Sequence, residues 1–214
     1  MRGARRGIAW GEVALPTLRS EELAAITGTG DLSLVDLGPA HNRARDEVVR
    51  KGLDTNREHG IAVFNDGSTV SFGGEHRDRL AVPRFDAIEG SVTVHHNHSF
   101  GDSLSRADLF MLFERAELGR VDAHGHAGLW ASAQRTGGAL ARMSAFAVIE
   151  DAVSRARRLI QHALERGQID LSATRAGLYQ IVAAQLLEQD DMIRYALNSN
   201  SVLTLARNII KWGQ

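Results

Sequence analysis

The chain contains no cysteine. Disulfides, thiolate metal sites and cysteine-based catalysis are therefore excluded, and any bound metal must be held by nitrogen and oxygen ligands. An excess of charge of one sign is missing too. With 25 Lys and Arg against 26 Asp and Glu, the formal net charge is -1, so no global field draws in nucleic acid or an anionic membrane. Arg2, Arg5 and Arg6 form a local basic cluster, read most simply as a solvated chain end. There is no apolar run of about 18 residues and no signal-peptide hydrophobic stretch, so the expectation is a cytoplasmic, soluble protein without a membrane partner. Internal repeats and low-complexity tracts are also absent.

What remains is an ordinary globular composition, 43% hydrophobic and 24% charged over 214 residues, enough for one well-packed domain and an appended module. With thiolates gone, the nine histidines are the first place to look for metal ligands.

Good helix formers run from Pro39 to Arg57, with Pro39 in the first turn. Glu58 to Phe64 reads as a strand, Asn65-Asp66-Gly67 as a hairpin turn, and Ser68 to Phe72 as the returning strand. Ser91 to His96 alternates as a third strand, followed by a loop and a helix from Ser105 to Leu118. Val121 to Trp130, broken at Gly125, suggests a further strand pair. This alternation predicts an α/β domain with a mixed sheet over residues 39–134, after an N-terminal lead-in over 1–38. Past the linker Arg135-Thr136-Gly137-Gly138, residues 139–214 are expected to be helical. Leu140, Met143, Phe146, Ile149, Val153, Ala156, Ile160 and Leu164 mark one apolar face of a long helix. Shorter helices are expected over Ala173 to Glu188, around Ile193 to Leu197, and over Val202 to Trp212, the last behind the capping material Asn198-Ser199-Asn200-Ser201.

On a strand, residues two apart share a face, so His96 and His98 project together beside Val92 and Val94 while His95 faces the other way. Ser105 and Asp108, three apart, lie on one side of a first helical turn. Asp108 is then available as a third ligand, leaving a fourth position for water, which is the pattern of catalytic zinc. Each part has a plainer reading: a surface His pair, and a Ser-x-x-Asp capping box that serves only helix stability. The conjunction of His-Asn-His ending a strand, a loop with glycine, and Ser-x-x-Asp opening a helix favours the metal site.

The segment from Val94 to Asp108 resembles the signature of the JAMM (MPN-plus) metalloprotease superfamily, His-x-His-Pro, a short loop, then Ser-x-x-Asp. Asn97 between the histidines and the Gly101-Asp102 pair look most like the RadC-type bacterial branch. The resemblance covers about residues 40 to 133 and implies an MPN or deaminase-like architecture with one zinc per chain. It makes His96, His98 and Asp108 the zinc ligands and Ser105 the donor to the oxyanion. It also calls for an upstream glutamate as general base. Glu58 fits by its place at the first strand after the first helix, with Glu75 and Glu89, in expected loops, as rivals. Two departures stand out: Ser99 replaces the usual proline, and the loop before the serine is one residue shorter.

The implied activity is hydrolysis of peptide or isopeptide bonds, with protein substrates and ubiquitin-like conjugates as the first class to consider. A catalytically silent MPN-type scaffold is the competing reading, with the helical tail packing on a partner or a second copy of the chain rather than on its own core. A nuclease, suggested by the letters His-Asn-His, lacks the longer ββα spacing and a basic face. His124-Gly125-His126 offers another histidine pair but reads as a turn between strands, and Trp130 as a core or rim aromatic.

Overall fold

The computed structural model describes residues 32, 35–98, 103–171 and 177–213. The basic cluster Arg2, Arg5 and Arg6, most of the lead-in, residues 99–102 of the motif loop and the start of the helix expected from Ala173 lie outside them.

Helix α1 (Pro39–Thr55) starts with proline at its first turn, where no backbone donor is lost, and stops at Asn56, whose φ of 55° closes the helix in the left-handed region. The hairpin of β1 (His59–Phe64) and β2 (Thr69–Gly73) turns at Gly67, φ 83°, with Asp66 accepting from the Ser68 N–H. Next come β3 (Val92–His98), α2 (Arg106–Glu114), β4 (Leu118–Gly125) and β5 (Trp130–Arg135). The chain then forms α3 (Arg142–Glu165), α4 (Leu178–Gln189), β6 (Ile193–Leu197) and α5 (Asn200–Trp212).

The fold is α/β with a mixed six-stranded sheet in the order β2-β1-β3-β4-β5-β6. Only β3 and β4 run parallel, and α2 makes their crossover; every other neighbouring pair is antiparallel. Helix α1 covers one face, packing on β1 and β3. On the other face α2 lies on β4 and β5, with α3 behind it and α4 and α5 packed alongside, all sharing one apolar core with the sheet. Among the described residues no helix is long and apolar enough to cross a membrane.

Several sequence expectations are corrected. The segment Ile193 to Leu197 is not helical: it is β6, pairing with β5 from Ala131–Leu197 to Arg135–Ile193. Its alternation of buried and exposed residues has period two, which a short apolar window does not separate from a helix by composition. The helix after Ser105 stops at Glu114 rather than Leu118, because Leu118 already pairs with Val92 on the sheet. The second strand of the pair split at Gly125 begins at Trp130 and takes in Arg135, which had been placed in a linker. On α3 the buried stripe is Ala145, Ile149, Ala152, Val153, Ala156, Ile160 and Ala163. Met143 and Phe146, expected on it, are 75% and 45% exposed, and the Arg106 guanidinium lies over the Phe146 ring at 5.6 Å. Small alanines on the inner side bring α3 close to its neighbours, and the larger side chains of the first turn stay outside.

Candidate metal centre

Strand β3 is the spine of the site. Pleating sends Val92, Val94, His96 and His98 toward the large core and Thr93, His95 and Asn97 toward α1. His96 Nε2 lies 2.9 Å from His98 Nε2, and the Asp108 carboxylate closes the triangle, Oδ1 3.2 Å from His96 and Oδ2 3.5 Å from His98. Metal–ligand bonds of about 2.0–2.1 Å at the tetrahedral angle separate donors by roughly 3.3 Å. The three observed separations bracket that value, so this group can hold one metal ion.

Asp108 is aimed by its helix. Ser105 is the N-cap of α2 and accepts from the Asp108 N–H at 3.2 Å, while Asp108 Oδ2 accepts from the Ser105 N–H at 2.7 Å. The capping box is thus real, and the same carboxylate that completes it faces the two imidazoles. Burial alone pushes the Asp108 carboxyl up, but the charges and hydrogen bonds of His96 and His98 outweigh it and hold the group well below the usual carboxylate range.

Glu58 stands immediately before β1, with its backbone already in the pairing: its N–H donates to His76 O and its carbonyl accepts from the Gly74 N–H. Its side chain, 8% exposed, lines the same cavity as His96, His98, Ser105 and Asp108. Burial raises its pKa, against the lowering pull of His98 and His96. His59, next along, points the other way, with Nε2 2.8 Å from Thr55 Oγ1 on α1. The rival glutamates are elsewhere. Glu75 is exposed and does not line the cavity, and Glu89 accepts from Ala139 N at 3.1 Å and pairs with Arg135 at 3.4 Å.

The cavity holds about 330 Å³. Beyond the motif's own Ser103 and Ala107, its walls come from other segments of the chain. Asp78, Arg79, Leu80 and Val82 line one side. They belong to the long connection before β3, which is tied down by the buried Arg115–Glu117 pair through Val82 O, Pro83 O and the Phe85 N–H. Gln180 of α4 lines the other side, its Oε1 buried with no partner among the described residues, and Ser103 hydrogen-bonds Tyr195 of β6 at 2.7 Å. Nothing local in the sequence marks Gln180 or Tyr195, because only the chain's return through α4 and β6 brings them here.

The α1 face of the sheet is unexpectedly polar. Its apolar part is small, Ala44 and Val48 against Ile61 and Val63. Beside it, fully buried Asn97 accepts from the His59 N–H at 2.7 Å and donates to Arg57 O at 3.0 Å, clamping the backbone on both sides of Glu58. Helix α1 reaches this close because position 52 is glycine; a Cβ there would lie 2.3 Å from Asn97 Nδ2. Farther along, His95 of β3 faces Asp122 and His124 of β4 across the parallel pairing. His124, expected in a turn, is therefore a buried strand residue; the turn begins only at His126.

Burial, with neighbouring cationic groups second, pushes both His95 and His124 well below the ordinary imidazole value of 6.5. Both stay neutral in the fold while the unfolded chain takes up protons below about pH 6.5, so stability falls as pH falls through that range. Each such group contributes about 1.4 kcal/mol per pH unit of acidification. The urea midpoint of the metal-free protein is expected to drop between pH 6.5 and 5, less steeply in His124→Gln. Equal slopes for the two proteins would contradict a neutral buried pair.

The chain matches no protein-family model, no curated protein and no solved structure. The site has to be read from its own chemistry.

Proposed function

We propose that this protein is a zinc-dependent hydrolase of peptide or isopeptide bonds, with an MPN-type catalytic architecture as the JAMM resemblance of its motif implies. One observation carries the reading: two imidazole Nε2 atoms and one carboxylate converge on a point at the wall of a cavity that also takes in a buried glutamate with a raised pKa. A purely structural metal site has no use for such a glutamate.

His96, His98 and Asp108 would hold the ion, which would supply Lewis acidity for attack of water on the scissile carbonyl. Glu58 takes the proton from that water and hands it to the leaving amine, a shuttle that suits a carboxylate raised toward neutrality by burial. Ser105 keeps its hydroxyl proton while accepting from the Asp108 N–H, so the same side chain that caps α2 donates to the developing oxyanion. Leu80, Val82 and Met111 give the cavity an apolar wall on which substrate side chains rest. Substrates next to ubiquitin-like modifiers are the first class to try, on the strength of the motif.

Metal analysis of the purified chain tests the site. One equivalent of zinc is expected here, lost in His96→Ala and in Asp108→Ala with the fold intact by circular dichroism. Full zinc content in both variants would sink the ligand assignment.

A further inference from the structure

Back to back with the first centre, on the α1 face of β3, lies a second convergence of ligand atoms. His95 Nδ1 is 3.0 Å from His124 Nε2 and 3.3 Å from Asp122 Oδ2. These separations match the roughly 3.3 Å between donors around a tetrahedral ion as well as those of the first group do. All three side chains are buried, His95 and Asp122 completely. Asp122 Oδ1 is occupied by the Arg120 Nε–H at 2.8 Å, but Oδ2, aimed at His95, has no hydrogen-bond partner among the described residues. A buried carboxylate oxygen without a donor is costly to keep, and a cation at this point removes the cost.

The surroundings fit a ligand set. His41 of α1 places its Nδ1 2.8 Å from His95 Nε2. When His95 donates from Nε2 to His41, its Nδ1 lone pair faces His124 and Asp122, which is how outer partners orient a metal-bound imidazole. Two neutral nitrogens and one carboxylate suit zinc and its neighbours in the divalent transition series rather than calcium or magnesium. His124 also lines a cavity of about 680 Å³ beside α1, with Arg45, Val49 and Trp130, through which an ion can arrive.

We propose that His95, His124 and Asp122 form a second transition-metal site, distinct from the His96–His98–Asp108 centre, that ties β3 to β4 and, through His41, to α1. The ion takes the place of apolar packing on a face where α1 meets the sheet largely through polar side chains.

The test is zinc stoichiometry by elemental analysis on the full chain, stripped of metal and reloaded. Two equivalents are expected, with one lost in Asp108→Asn and the other in Asp122→Asn or His124→Gln. Asp122→Asn keeps the size of the side chain and an acceptor for Arg120. A single equivalent lost in Asp122→Asn but kept in Asp108→Asn supports this site and overturns the first. The same zinc content in wild type, Asp122→Asn and His124→Gln overturns this one. Should those variants not fold, imidazole nitrogen resonances of the unaltered chain decide. Zinc is expected to move His95 Nδ1, whereas the first centre uses Nε2 of His96 and His98; an unmoved His95 Nδ1 rejects the site.

Discussion

Glu58→Gln is expected to retain its metal and lose hydrolysis by about 10²–10⁴-fold, the range for removing a general acid–base group. Gln keeps the length and polarity of the side chain, and the position of the residue is set by backbone bonds to His76 and Gly74 rather than by its carboxylate. The ligand triangle of His96, His98 and Asp108 does not include it. The substitution therefore separates chemistry from metal binding. A fluorogenic peptide amide and a ubiquitin isopeptide dimer, each assayed with zinc-loaded protein, give the readout. The rate on either substrate is also expected to rise with pH through a carboxylate pKa above the usual 4.5, because burial holds the Glu58 carboxyl up and only its ionised form accepts the proton. Wild-type turnover in Glu58→Gln would remove the base from this residue.

Asn97→Ala is expected to cost about 2–5 kcal/mol of stability, the largest effect foreseen for a residue that touches neither ligand set directly. Its amide satisfies the His59 N–H and the Arg57 carbonyl and meets His126 Nε2 at 3.0 Å, all from a position with no solvent exposure. Truncation strands two backbone groups, each worth about 1–3 kcal/mol when buried without a partner, and leaves a cavity under α1. Those groups flank Glu58, so the residual activity at saturating substrate is expected to fall while zinc at the His96 centre persists. Urea unfolding and metal content measured on the same preparation check both. A loss under about 0.5 kcal/mol would mean that the clamp is dispensable.

These two residues show how far the sequence could be read. The His-Asn-His letters drew attention to the histidines, and strand alternation was enough to put His96 and His98 on one side and His95 on the other. The middle Asn97 stood out only as a feature of the RadC-type resemblance, because its partners lie about 40 positions away and become neighbours only when α1 and β1 close over β3. Glu58 was reachable from its place after the first helix, but so were Glu75 and Glu89 in principle. What separates them is burial in a cavity, a property of the assembled chain.

His124 marks the same boundary from the other direction. A glycine beside two histidines suggests a turn by local chemistry. The parallel register of β3 and β4 instead aligns Asn97 with His124 and His95 with Asp122, and no local pattern encodes that register. Similarly, the apolar letters of Ile193 to Leu197 were plain, while their choice of strand over helix came from the free edge of β5.

The sequence by itself determined the donor chemistry of the His96 centre: no thiolates, two histidines on one strand face, and an aspartate fixed by a capping box at the next helix. Those are short-range consequences of residue type and backbone period. Only the tertiary structure decided that the three donors meet within 3.5 Å, that Glu58 shares their cavity, and that a second set of histidines and an aspartate gathers behind them. Each of these depends on strand pairing and crossover between segments far apart in the chain, where no local preference acts.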